Sequence, residues 1–248
     1  MSRPRRLQVL TDRPSYEWIG RIRQLGTELS QLTADESKKS LVSYWARNEF
    51  VNGALTLENH SQGSKGDATP ATPARSLPQS SLPPETSAPR TRILSALITI
   101  EELASARATH PALTPEILLE LDRLLRDPNS HSDVNPSAVL PILEAACYWW
   151  TADSFSELHP VEQAAIVHLR LIELRPFGAL STHVSLAAAT FFLKRADLPP
   201  LVVPPDAGPA YVAALREANG MNTRPMVDLF ARSTQLTLSE MIRIASAG

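Results

Sequence analysis

The fold class predicted is all-α: a helical core carrying an N-terminal helical extension and a disordered insert. Apolar residues recur three and four apart in segment after segment, and no stretch alternates apolar with polar residues over the length of a strand. Between them, residues 60–92 are dominated by Gly, Ser, Thr and Pro and hold almost no large apolar side chain. At 248 residues with 43% apolar content, the chain can bury a sizeable core. The division that follows is N-terminal helices over 1–59, the insert over 60–92, and the helical core over 93–248.

In chain order, Trp18, Ile19, Ile22, Leu25 and Leu29 place one apolar face on a helix between Tyr16 and Leu32. Thr33-Ala34-Asp35-Glu36 has the form of a capping box, a hydroxyl and a carboxylate three residues apart, and starts a second helix toward Phe50. Leu41, Trp45 and Phe50 are expected to face inward on it. From His60 to Arg92 too little apolar surface is available to offset the entropy of ordering the chain. The PxxP form of Pro70 to Pro73 is expected there as plain linker, although such a form also suits aromatic grooves.

Helical spacing resumes with Ile93, Leu94, Leu97, Ile98, Ile100 and Leu103 and stops near His110-Pro111. Thr114-Pro115 opens the next helix, hydroxyl as cap and proline where its missing N–H does no harm, with Ile117, Leu118, Leu121, Leu124 and Leu125 buried. Asn135-Pro136 restarts the pattern with Val139, Ile142, Leu143, Ala146, Trp149 and Trp150. His159, as N-cap, and Pro160 open a helix reaching Leu174. After a turn comes a helix apolar nearly all round, which must therefore be enclosed by its neighbours. Its apolar run, Val184 to Leu193, is too short to span a bilayer. Helices around Tyr211 to Ala218 and Pro225 to Phe230 close the core.

A formal net charge of −2 and a pI near 6.3 supply no basic field, so neither nucleic acid nor membrane is an expected partner. Cys147 is the only cysteine, which excludes an internal disulfide and a cysteine metal site and fits a cytoplasmic location. Met1 to Arg6 is basic, but Leu7 to Leu10 runs into Thr11-Asp12 instead of an apolar segment, so no signal peptide is expected.

Three phrases carry a resemblance. They are His159-Pro160-Val161-Glu162-Gln163-Ala164-Ala165-Ile166-Val167-His168, the turn Arg175-Pro176-Phe177-Gly178-Ala179-Leu180-Ser181-Thr182-His183, and the run from Leu186 to Pro200. In order, their setting resembles the Fic (Fido) family of AMP-transferring enzymes. The family patterns are His-Pro-x-x-x-Ala-Ala-x-x-His, His-Pro-Phe-x-Asp/Glu-Gly-Asn-Gly-Arg-x-x-Arg, and Arg-Leu-Leu-x-x-x-x-Leu-x-x-Ala-Gly-x-Pro-Pro. Upstream, Asn48 to Leu57 resembles the family's Ser-Asn-x-Ile-Glu-Gly-Asn-x-Leu-Thr-Leu segment, whose glutamate blocks productive ATP binding. Val51 holds the glutamate's position, and Glu49 lies two residues early.

The resemblance implies a histidine that takes a proton from a target hydroxyl, a backbone nest and arginines for ATP phosphates, and an acid for magnesium. This chain places Arg175 at the histidine, Ala179 at the acid, Leu180-Ser181-Thr182 at Gly-Asn-Gly, His183 at the first arginine and Leu186 at the second. An arginine stays protonated and cannot act as general base. At a helix C-terminus it is expected to answer the last carbonyls. No carboxylate lies between Glu173 and Asp197 to hold magnesium.

Phe177, Gly178, Ser181, Thr182 and His183 are what remains of a nucleotide-binding loop. Ser181 or Thr182 also suits an N-cap, and His183 suits either a weak anion contact or a capping, solvated histidine. The loop from Asp127 to Asn135 leaves hardly any room for the hairpin flap that holds targets in the family.

The expectation is a degenerate Fic-type protein, a pseudoenzyme acting through protein or ligand binding, with no catalytic residue, metal site or cofactor assigned. The alternative is a nucleotidyl or phosphoryl transferase with an altered motif, modifying a protein hydroxyl with ATP and magnesium or with another nucleotide. The implied partner is a protein the sequence does not name, and a homodimer is allowed.

Overall fold

The computed structural model describes residues 17–63, 87–106, 112–129 and 135–247. Among them the regular structure is helical throughout, with no strand. The helices are α1 (Glu17–Leu32), α2 (Glu36–Gly63), α3 (Ser87–Ser105), α4 (Pro115–Leu125), α5 (Pro136–Trp150), α6 (Asp153–Ser156), α7 (Pro160–Leu174), α8 (Ser181–Arg195), α9 (Gly208–Asn219) and α10 (Arg224–Ala247). No helix among the described residues is long and apolar enough to cross a membrane.

α8 is the axis of the molecule. Every residue from Ser181 to Leu193 is buried, because α2, α3, α4 and α7 pack around it. α7 lies against it most extensively, and α10 in turn packs on α7, α9, α1 and α2. Apolar contact is reinforced by edge-to-face pairs of Phe192 with Phe155 and with Phe191, at 5.4 and 5.3 Å between ring centroids. Thr190 ties the far end of α8 to the chain that leaves it: its hydroxyl donates to the Leu186 carbonyl at 3.0 Å and accepts the Leu201 N–H at 3.2 Å.

The insert is narrower at both ends than the composition suggests. α2 continues to Gly63 and α3 already starts at Ser87, so residues 60–63 and 87–92 are helical. The α3 extension has a tertiary anchor, Arg90 Nη1 donating to Asn52 Oδ1 of α2 at 2.7 Å. The remainder of the insert, its PxxP form, His110, His131 and residues 130–134 of the loop expected to be too short for a flap lie outside the described residues.

Three local expectations are corrected. Asp35 caps α2 through the Ser37 N–H at 2.8 Å, while the Thr33 hydroxyl turns back to the Leu29 carbonyl at 2.8 Å. Thr114 makes no side-chain cap on α4. On α2, Leu41 faces solvent and Trp45 is half-buried; the inward face is Val42, Ala46, Phe50, Val51, Ala54 and Leu57. The His159 cap is as read: its Nδ1 accepts the Val161 N–H at 3.2 Å while Glu162 answers the His159 N–H at 2.9 Å; α5 restarts at Asn135-Pro136 as read, with the Asn135 side chain accepting the Ser137 N–H at 3.1 Å.

Candidate functional site

The candidate site is the turn between α7 and α8. α7 ends by a left-handed residue, Arg175 at φ 46° and ψ 44°, whose N–H closes on the Leu171 carbonyl at 3.0 Å. A side-chain-bearing residue there costs about 1 kcal/mol relative to glycine. The Arg175 side chain is exposed and makes no hydrogen bond or ion pair with the described residues. The expected contact with the last carbonyls is therefore not made. Pro176 and Phe177 are buried and pin the turn to the core. Gly178 then supplies a second left-handed position at φ 56°, and both it and Ala179 are exposed.

The backbone donors of this turn are largely spent on the chain itself. The Gly178 N–H bonds the Arg175 carbonyl at 3.2 Å, the Leu180 N–H the Phe177 carbonyl at 3.1 Å, and the Ser181 N–H the Gly178 carbonyl. The Phe177 N–H is taken by the Ser181 hydroxyl at 3.3 Å. Ser181 is thus a staple across the turn and not an N-cap. Leu180 occupies the cap position of α8 in right-handed geometry, with no side-chain cap. Thr182 is buried, and its carbonyl accepts the Ser185 hydroxyl at 2.9 Å. An anion nest requires several N–H groups converging on one open point; here four are turned inward. With no carboxylate among residues 174–196, the turn does not suit a magnesium-bound triphosphate.

His183 is neither a solvated nor a capping histidine. It is buried, with Glu58 Oε2 of α2 3.6 Å from its Nε2, and neither ring nitrogen has a hydrogen-bond partner. Burial pushes its pKa below the ordinary value; the Glu58 carboxylate and the Ala54 carbonyl pull it the other way without prevailing. Glu58 is the residue that sequence reasoning missed. It sits seven residues after Val51 and four after Ala54, on one face of α2, so the helical period carried the signal. Val51 itself is buried in the core, and Glu49 accepts from the Asn52 side chain at 3.3 Å.

His168 stands apart from the turn. It is fully buried, its Nε2 is 2.9 Å from the Tyr211 hydroxyl, and burial lowers its pKa to about 3. Its ring lies edge-on to Phe230 at 5.3 Å. It is a structural histidine joining α7, α9 and α10. Among the described residues, no group of three or more His, Cys, Asp and Glu side chains is placed to hold a metal ion.

No family model matches the chain. In sequence it is 30% identical over 108 residues to the proteins named Protein adenylyltransferase Fic of Drosophila virilis and Drosophila melanogaster, a stretch covering 44% of this chain. That stretch spans 22% of the relatives' own length. In structure it is similar to Fic-1 of Caenorhabditis elegans (residues 134–508, E274G), with a TM-score of 0.72 and 18% identity, over 92% of this chain and 72% of that one. It is also similar to a Fic-domain-containing signalling protein of Bacteroides thetaiotaomicron, with a TM-score of 0.70 and 17% identity, over 92% of this chain and 98% of that one. The arrangement of helices around α8 is therefore the all-α fold of Fic domain proteins, and the sequence likeness to the Fic adenylyltransferases lies within 108 residues.

Proposed function

We propose that this Fic-type domain acts in the cytoplasm by binding another protein and does not transfer AMP. The observation that carries the proposal is the inward-turned backbone of residues 177–181. Phosphate transfer depends on positioning and on charge stabilisation by preorganised donors. Here those donors bond their own chain, Arg175 heads the turn where a proton acceptor is needed, and Ala179 offers no oxygen for a cation. Arg175 and Gly178 are exposed, but His183 is enclosed under α2 and is not presented to a ligand at the mouth of the turn.

The relatives' name describes AMP transfer by those proteins, and the turn of this chain is what argues against the same activity here. The test is incubation of the purified chain with labelled ATP and host lysate, alongside calorimetric titration with ATP, ADP, AMP and GTP. The expected result is no label above a boiled control and no heat at millimolar nucleotide; transferred label would overturn the proposal. Arg175→His is expected to leave transfer absent, because a base alone reopens neither the donors nor the cation site. Transfer by that variant would show that one side chain was the sole defect.

A further inference from the structure

α5 presents to solvent an apolar face that the described residues leave largely uncovered, with the Trp149 ring meeting Phe155 of α6 at 5.2 Å between centroids. Ala138, Pro141, Ile142, Ala145, Tyr148 and Trp149 are all exposed, and their spacing of three and four residues puts them in one stripe about 16 Å long. Tyr148 is 82% exposed, Trp149 47% and Ile142 40%. The opposite face, Val139, Leu143, Ala146, Cys147 and Trp150, is buried. The helix is therefore apolar on both sides, and only one side is accounted for by the core. Exposed apolar patches rimmed by polar groups mark contact surfaces, with Tyr and Trp the residue types that anchor them.

The rim is acidic. Glu144 is the one charged residue on α5 and borders the stripe. Asp153 opens α6 directly after α5. Both carboxylates are exposed, and neither forms an ion pair with a described residue. The nearby arginines are already engaged: Arg123 with Glu120 at 2.6 Å and Arg126 with Asp122 at 2.7 Å.

We propose that the exposed face of α5 docks an amphipathic helix of another protein, its apolar stripe bordered by lysine or arginine. Charge decides among the occupants. A second copy of this chain pairing antiparallel on the stripe would bring its Glu144 against this one, since Glu144 sits at mid-length, and like charges juxtaposed at an interface are costly. An anionic lipid surface meets the same repulsion. A basic helix gains on both counts, burying Tyr148 and Trp149 while answering both carboxylates. A helix of three to four turns matches the stripe's length.

The inference rests on the proposal that the chain works by binding, yet its test reads peptide binding and is separable from any AMP-transfer result. The probe is a fluorescent amphipathic peptide of leucine and lysine in helical spacing, with its leucine and glutamate counterpart as control, followed by anisotropy on the full chain. The lysine peptide is expected to bind and the glutamate peptide not. Tyr148→Ser, at the most exposed position, is expected to weaken binding at least tenfold and Glu144→Lys at least fivefold. Leu236→Ser, an exposed apolar position on α10, should leave it unchanged. Circular dichroism confirms that each variant folds. Equal binding of both peptides, or binding indifferent to Tyr148→Ser, overturns the proposal. So does a dimer in sedimentation that Tyr148→Glu dissolves, which would assign the face to a second copy.

Discussion

His168 has its ring in the core among Tyr211 and Phe230, and the native protein resists protonating it until about pH 3. The unfolded chain takes up that proton near the ordinary value of 6.5. The unfolded state therefore binds more protons between the two values, so stability is full above pH 6.5 and falls as pH drops toward 3. The slope is about 1.4 kcal/mol per pH unit for one such group. Burial lowers His159 and His183 as well, so they act in the same sense. Urea denaturation at pH 7.5 and pH 5 is expected to show the loss, and His168→Gln, which keeps a polar partner for Tyr211, should shrink the difference by about 2 kcal/mol. An unchanged difference would place the acid sensitivity elsewhere.

At the scale of elements, the seat of α2 depends on one glycine. A Cβ on Gly53 would lie 2.5 Å from the Val203 carbonyl oxygen, so the helix approaches the segment after α8 more closely than any side chain permits. Gly53→Ala gains about 1 kcal/mol in helix propensity, but it forces two backbones apart. The net expectation is a loss of about 1–2 kcal/mol, seen as a lower Tm, and a Tm unchanged or raised would mean the contact yields freely.

How much of this was legible follows from which forces act locally. Helix starts at Asn135 and His159 were readable because cap and first turn are neighbours in sequence, and α8 was readable as enclosed because nothing polar interrupts it from Val184 to Leu193 except Ser185 and Thr190. Leu41 misled because size outweighs position in a pattern, whereas the true inward face of α2 leans on Val42, Ala46 and Ala54. Asp35 displaced Thr33 as cap because Ser37 offers it both an N–H and a hydroxyl. Spacing put Glu58 on the face of Val51 and Ala54, but its meeting with His183 depends on which helix lies across the turn, and the Ser181 staple on how the turn closes.

Over the whole molecule, stability is unevenly distributed. One large core runs through α7 and α8, while α2 and the end of α10 share a small cluster of Val42, Ala46, Met241 and Ala245. α1 buries only Ile22 and Leu25. Amide exchange is expected to be slowest in α7 and α8 and markedly faster in α1 and the last two turns of α10, because opening those exposes little apolar surface. Uniform protection would contradict that order. The parts of the chain are bridged at Glu101, a buried carboxylate of α3 that meets Arg47 of α2 at 2.7 Å and Lys194 of α8 at 3.4 Å.

The enclosure of α8 has a consequence for how such a chain can change over generations. A helix surrounded on all sides has no face on which substitutions are free, so Ser181 to Leu193 is confined to residues that fit the space they already fill. Arg175, Gly178 and Ala179, a few ångströms of chain away, are open to solvent and bound by no such demand beyond their dihedrals. The architecture thus lets the turn drift in chemistry while its scaffold stays still. A lineage can exchange the groups at that mouth one by one and keep its helices unchanged.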